Sequence, residues 1–127
     1  MSALETIRIS QRGKDQLAWL KRWTKIKTWN VVCRWAFCAS LAETSAPPSA
    51  RIPSDSSVEM SWRTFAGEFG DVYMALLRER CHRDGVGTDD ATLLEQLRLH
   101  IHRGLGYLAA DRSIRSIEGL LARVEAG

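Results

Sequence analysis

No lysine occurs after residue 27: the four in the chain are Lys14, Lys21, Lys25 and Lys27. Residues 1–44 add Arg8, Arg12, Arg22 and Arg34, giving eight basic side chains against Glu5, Asp15 and Glu43. The rest of the chain is slightly acidic, with ten basic and twelve acidic residues. A net charge of +3 alone implies little, but its crowding into the first third points to a polyanionic partner at one end of the molecule. Cysteine is scarce as well. Cys33, Cys38 and Cys81 make neither a metal-binding spacing nor a disulfide framework. All three prolines fall in "TSAPPSARIPSDSS", Thr44–Ser57, which excludes helix and sheet there and leaves every other segment free to form them. A long hydrophobic run is also missing. Thr28–Glu43 is apolar nearly all the way round, but Arg34 interrupts it and it falls short of the ~20 residues that span a bilayer. The opening "MSALETIRIS" lacks the apolar centre of a signal peptide, so a cytoplasmic protein with no membrane partner is expected.

What is present reads as one mainly α domain over 1–127, with a basic part (1–44), a loop (45–60) and a helical part (61–127). A length of 127 residues, 45% hydrophobic, suits a single globular unit. In "ETIRIS", residues 5–10, Ile7 and Ile9 alternate with Thr6, Arg8 and Ser10, predicting a short strand with one wet face. Ser10 suits the N-cap of a helix over 11–24, which carries Leu17, Leu20 and Trp23 on one side. A break at "KIK" precedes a second helix over Thr28–Glu43. Further helices are expected over about Thr64–His82 with Gly85 as stop, from Asp89 or Asp90 to about Leu108, and over about Ser113–Val124. The total is a short N-terminal strand followed by about five helices.

Strand, helix and helix in that order form a ribbon-helix-helix-like unit. In such folds two chains pair their strands into one antiparallel ribbon, whose outward residues, here Thr6, Arg8 and Ser10, face a DNA groove. Backbone N–H groups near Thr28 and Trp29 could meet a phosphate. The bland alternative is a solvated basic face. A helix hydrophobic all round must be buried, and a chain this small has little interior to surround it, so an oligomer is expected. Trp29, Val32, Trp35, Phe37 and Leu41 are the candidate interface or core residues, and Arg8, Lys14, Lys21, Arg22, Lys25 and Lys27 the candidate DNA contacts.

Nothing in the sequence looks like an enzyme. His100 and His102 are two apart, which on a helix separates them, and no third ligand accompanies His82, so no metal or other cofactor is expected. Cys81, between Arg80 and His82, is the best of three weak candidates for a reactive thiol. Of the five tryptophans, most suit core packing; Trp19 is left open as a base-stacking platform.

Three segments carry a resemblance: "LAWLKRWTKIKTWNVVCRWAFCASLAE", "TFAGEFGDVYMALLRERCHRDG" and "LRLHIHRGLGYL". In this order and spacing the chain resembles the DndE family of DNA sulfur modification proteins, over nearly its whole length. The resemblance implies a small helical accessory subunit of bacterial phosphorothioation systems, in which sulfur replaces a non-bridging phosphate oxygen of DNA. It implies a homo-oligomer, a tetramer in this family, that binds duplex DNA, including nicked duplex, beside partner proteins such as DndC and DndD. The alternative it leaves is a non-catalytic scaffold with incidental DNA affinity. One departure is the turn between the first two helices: a turn that often contains glycine in such folds reads "TKIKT" here.

Overall fold

The computed structural model describes residues 6–126, so Glu5, expected in the opening strand, lies outside the described residues. The alternation in that strand is obeyed. Ile7 and Ile9 are fully buried and Thr6 is exposed. Strand β1 (Ile7–Arg8) is followed by α1 (Gln11–Thr24) and α2 (Trp29–Ala42), and, past the proline segment, by β2 (Glu59–Met60). Then come α3 (Trp62–Ala66), a 3-10 turn (Gly67–Phe69), α4 (Gly70–Asp84), α5 (Asp90–Ala110) and α6 (Ile117–Ala126). The fold is mainly α with a short N-terminal strand, as expected.

Two features depart from the expectation. The strand–helix–helix order holds, but the strand's partner is in the same chain: β1 pairs antiparallel with β2, Ile7 opposite Met60 and Arg8 opposite Glu59. Its other edge is engaged too. Arg98 Nε donates to the Arg8 carbonyl (2.9 Å) and the Ser10 N–H donates to His102 Nε2 (3.0 Å). One edge of β1 is thus paired within the chain and two groups of the other are engaged, which is not the shared two-chain ribbon expected, and Ser10 turns inward to cap α1 rather than facing outward. The second departure is the helix expected over Thr64–His82, which is divided. Gly67 takes φ 62°, ψ −142°, a conformation open to glycine and hardly to other residues, and ends α3. Arg34 Nη1 lies 2.9 Å from where a Cβ at Gly67 would stand. The break rotates the following apolar residues outward. Phe69, Val72 and Leu76 are exposed, whereas Phe65 and Leu77 are fully buried.

The local signals explain the remaining helices. Ser10 Oγ accepts the Gly13 N–H at 3.0 Å, and Asp89 rather than Asp90 caps α5 by accepting the Thr92 N–H at 3.2 Å. Helix α2 packs most extensively against α5. One face of α2, with Val32, Cys33, Ala36 and Phe37, sinks into the core beside Leu97, Ile101 and Leu105. The two helices touch through backbone: a Cβ at Gly104 would lie 1.7 Å from the Ala36 carbonyl oxygen.

A polar collar closes the C-terminal end of α2. Arg80, 4% exposed, donates to the carbonyls of Leu41 (3.0 Å), Glu43 (2.7 Å) and Ser45 (2.6 Å), while Asp84 balances its charge at 3.0 Å. Arg103 donates to the Ser40 carbonyl and hydroxyl, both at 2.9 Å. These guanidinium groups satisfy carbonyls that a helix end leaves without partners, and their charge suits the negative end of the helix dipole. Within the collar His100 is fully buried, its Nδ1 2.7 Å from Ser40 Oγ and its Nε2 without a partner. Burial, followed by the charges of Arg80 and Arg103, pushes its pKa down to about 4.

The glycine pair in "RGLGY" provides a test of the crossing. Gly104→Ala should cost about 3 kcal/mol or more, since backbone must move. Gly106→Ala meets open space and should stabilise α5 by about 0.5–1 kcal/mol. Equal effects in urea unfolding would contradict the backbone contact. A second expectation concerns acid. In the unfolded chain His100 regains an ordinary value near 6.5, so between pH 6.5 and 4 the unfolded state binds a proton that the folded state refuses. Stability should fall by about 2 kcal/mol from pH 7 to pH 5, and His100→Gln should flatten that decline. An identical decline in the variant would show that His100 is not its source.

Candidate nucleic-acid interface

The corner between α1 and α2 is built by side chains on both sides of the "KIK" break. Thr24 is buried at the end of α1, donating to the Leu20 carbonyl at 2.7 Å and accepting the Ile26 N–H at 3.3 Å. Lys25 closes the helix in the left-handed region, φ 65°, ψ 11°, with its N–H on the Lys21 carbonyl at 3.0 Å. Ile26 tucks against the core, so its neighbours Lys25 and Lys27 project into solvent.

The result is an open cleft of about 540 Å³ lined by Lys21, Arg22, Lys25, Ile26, Lys27 and Trp29, with Ala18 at its rim. Among the described residues none of these four cations has a carboxylate within 4.0 Å. The Lys21 ammonium instead sits 3.9 Å from the centroid of the Trp29 ring. The same corner holds the N-terminus of α2. Thr28 is extended (φ −113°, ψ 139°), makes no side-chain cap bond, and the first turn carries no acid. The first N–H groups of α2 therefore keep their hydrogen-bonding capacity beside four positive side chains.

Of the six residues expected to meet DNA, the structure brings Lys21, Arg22, Lys25 and Lys27 together. Lys14 stands seven residues before Lys21 on the same face of α1, ~10 Å back along the axis, where its ammonium donates to Ser57 Oγ at 2.9 Å. Arg8 is elsewhere, its guanidinium paired with the Glu59 carboxylate across the small sheet. Of the five candidate interface residues, Val32 and Phe37 lie in this chain's own core, 2% and 0% exposed, which removes them from any surface. Trp29 lines the basic cleft, and Leu41 is half-buried against the core. Trp35 lines a second groove of about 530 Å³, with Val31, Cys38, Ala39 and Ala42 from the outer face of α2 and with Tyr73, Leu108 and Val124 opposite.

The remaining candidates are quiet. Burial pushes the Cys33 thiol up to about 12 and raises Cys38 and Cys81 above the ordinary thiol range, so none favours the thiolate at neutral pH. His102 has both ring nitrogens engaged, Nδ1 at 2.7 Å from the Arg98 carbonyl and Nε2 on the Ser10 N–H. Among the described residues no three His, Cys, Asp or Glu side chains cluster to hold a metal, and no helix is long and apolar enough to cross a membrane. Trp19 and Trp23 share the Arg115 guanidinium, 5.2 and 5.4 Å from their ring centroids, so Trp19 is engaged by its own chain. Sequence reasoning passed over Arg80 and Arg103. Apart from Asp84, one turn beyond Arg80, their partners lie 35–63 residues away, and no local pattern announces those contacts.

Solved structures share the fold, two of DndE among them. One is DndE from Escherichia coli B7A, described as involved in DNA phosphorothioation modification, at 23% identity and TM-score 0.68, covering 82% of this chain and 95% of that one. The other is a glycine-to-lysine double mutant of DndE, described as involved in DNA phosphorothioation, at 20% identity and TM-score 0.64 with the same coverage. No curated protein matches significantly. The family profile "DNA sulphur modification protein DndE" matches residues 6–116, nearly the whole length described. The chain belongs to the DndE family.

Proposed function

We propose that the chain is a DNA-binding accessory subunit of a phosphorothioation system, gripping the sugar–phosphate backbone of duplex or nicked DNA for partner enzymes such as DndC and DndD. One observation carries this reading: four cations without carboxylate partners among the described residues line a single cleft at the uncapped N-terminus of α2. Ammonium groups and backbone N–H donors recognise phosphate oxygen and carry no information about bases, so binding is sequence-tolerant. No catalytic step is assigned to this chain; the sulfur chemistry belongs to the partners, and thiols held in their protonated form suit no relay role.

Assembly belongs to the same reading. The outer face of α2 is an apolar groove open to solvent, and covering it with a second copy would bury Trp35, Cys38, Ala39 and Ala42. Full burial of a large apolar side chain is worth about 1.5–3 kcal/mol. A homo-oligomer, a tetramer by family resemblance, would repeat the basic cleft on each subunit and multiply its hold on one duplex. The scaffold alternative has its own support: Phe69, Val72 and Leu76 form an exposed apolar stripe on the opening of α4 that suits a protein partner.

If the four cleft cations each neutralise a phosphate, log Kobs should fall with log[salt] at a slope of about −4 per bound subunit. Lys21→Ala with Lys25→Gly should bring that slope to about −2 on all sequences alike. Glycine suits the left-handed backbone at 25, so the protein should gain stability as it loses affinity. Unchanged affinity and slope would leave the basic corner a solvated face and favour the scaffold. Trp35→Asp should convert an associated wild-type protein to a folded monomer in sedimentation. Phe37→Asp should unfold the chain, because Phe37 is core. A monomeric wild type at micromolar concentration would overturn the assembly.

A further inference from the structure

Among the cations of the basic cleft, Lys21 is the one held by an aromatic ring of the same cleft. Its ammonium stands 3.9 Å from the centroid of the Trp29 indole, and both residues are half-buried, whereas Arg22, Lys25 and Lys27 are exposed. Lys21 closes the last turn of α1 and Trp29 opens α2, so the contact bridges the two helices across the "TKIKT" turn. The Lys21 carbonyl meanwhile accepts the Lys25 N–H that ends α1. Lys21 is thus fixed at its backbone by the turn and at its tip by the ring.

We propose that Trp29 is a positioning residue for phosphate capture, holding the Lys21 ammonium in the cleft before DNA arrives. The proposal rests on the reading of the cleft as a phosphate site. A lysine stem is flexible, and immobilising it on binding costs conformational entropy. A carboxylate partner would remove that cost but would also neutralise the charge. An indole face attracts the ammonium through its quadrupole and leaves the full positive charge for a phosphate. Lysines elsewhere in the basic third are treated differently: Lys14 is tied to a hydroxyl, and Lys25 and Lys27 stand free in solvent. Among the described lysines, Lys21 alone stands over an aromatic ring.

The test is a double-mutant cycle on duplex affinity, with salt titrations, in the full-length protein. Trp29→Leu should weaken binding about two- to tenfold, yet leave the salt slope unchanged, because Lys21 still displaces its counterion. Lys21→Ala should weaken binding and lower the slope by about 0.9. In the Lys21→Ala background, Trp29→Leu should cost nothing further. Trp29→Phe, which keeps a weaker aromatic face, should fall between wild type and Trp29→Leu, and it carries the test alone should leucine unfold the chain. Sedimentation of each variant should match wild type. Equal losses in both backgrounds, tighter binding by Trp29→Leu, or a changed association state would overturn the positioning role. Such outcomes leave the cleft reading intact if Lys21→Ala still weakens binding. If Lys21→Ala has no effect, the cleft reading itself fails, and the inference with it.

Discussion

Helices α2 and α5 meet where Gly104 leaves room for the Ala36 carbonyl, and no side chain larger than hydrogen fits between them. That close approach lets Phe37, Leu97, Ile101 and Leu105 share one core, and it fixes α2 against the longest helix of the molecule. Arg80 and Arg103 then lock the C-terminal end by taking up the carbonyls of residues 40, 41, 43 and 45. Helix α2 is therefore finished differently at its two ends. Its C-terminus is buried in guanidinium donors, while its N-terminus makes no side-chain cap bond and opens into a cleft of lysines.

This asymmetry gives the proposed function its physical basis. A helix dipole is neutralised at one end by permanent partners, and at the other its positive end adds to the charges of Lys21, Arg22, Lys25 and Lys27. The corner that presents them is held by Thr24 and Ile26, so the cations project from a braced turn rather than from a loose loop. The cost falls on Lys25, a non-glycine residue at φ 65°. A strained backbone at an exposed lysine of a basic turn fits a site shaped by charge ahead of stability.

Much of the fold was legible because its signals are local. Ser10, Leu17 and Leu20 announced α1, the prolines announced the loop, and the leucine spacing announced α5. The division of the third helix was not legible, since a helix interior tolerates a glycine and no local signal shows that Gly67 takes φ 62°, ψ −142° and ends α3. Strand β2 escaped notice because its alternation, Val58, Glu59, Met60, is only three residues long. The lysines of the basic cleft could be named from the sequence, while the separation of Arg8 from them could not, because its partner Glu59 is fifty-one residues away. The apolar character of α2 led to the expectation of an oligomer, but sequence alone could not say that Phe37 faces inward and Trp35 outward.

The proposed seat of the DNA phosphates is the corner between α1 and α2. Hydrogen–deuterium exchange with and without a plain duplex tests it most directly, read on peptides spanning residues 21–33. Phosphates held there should slow exchange at the first amides of α2, Trp29–Val31, on DNA binding, and should protect the end of α1 as well. Unchanged exchange across that segment, with protection appearing instead on α4 around Phe69–Leu76, would contradict it.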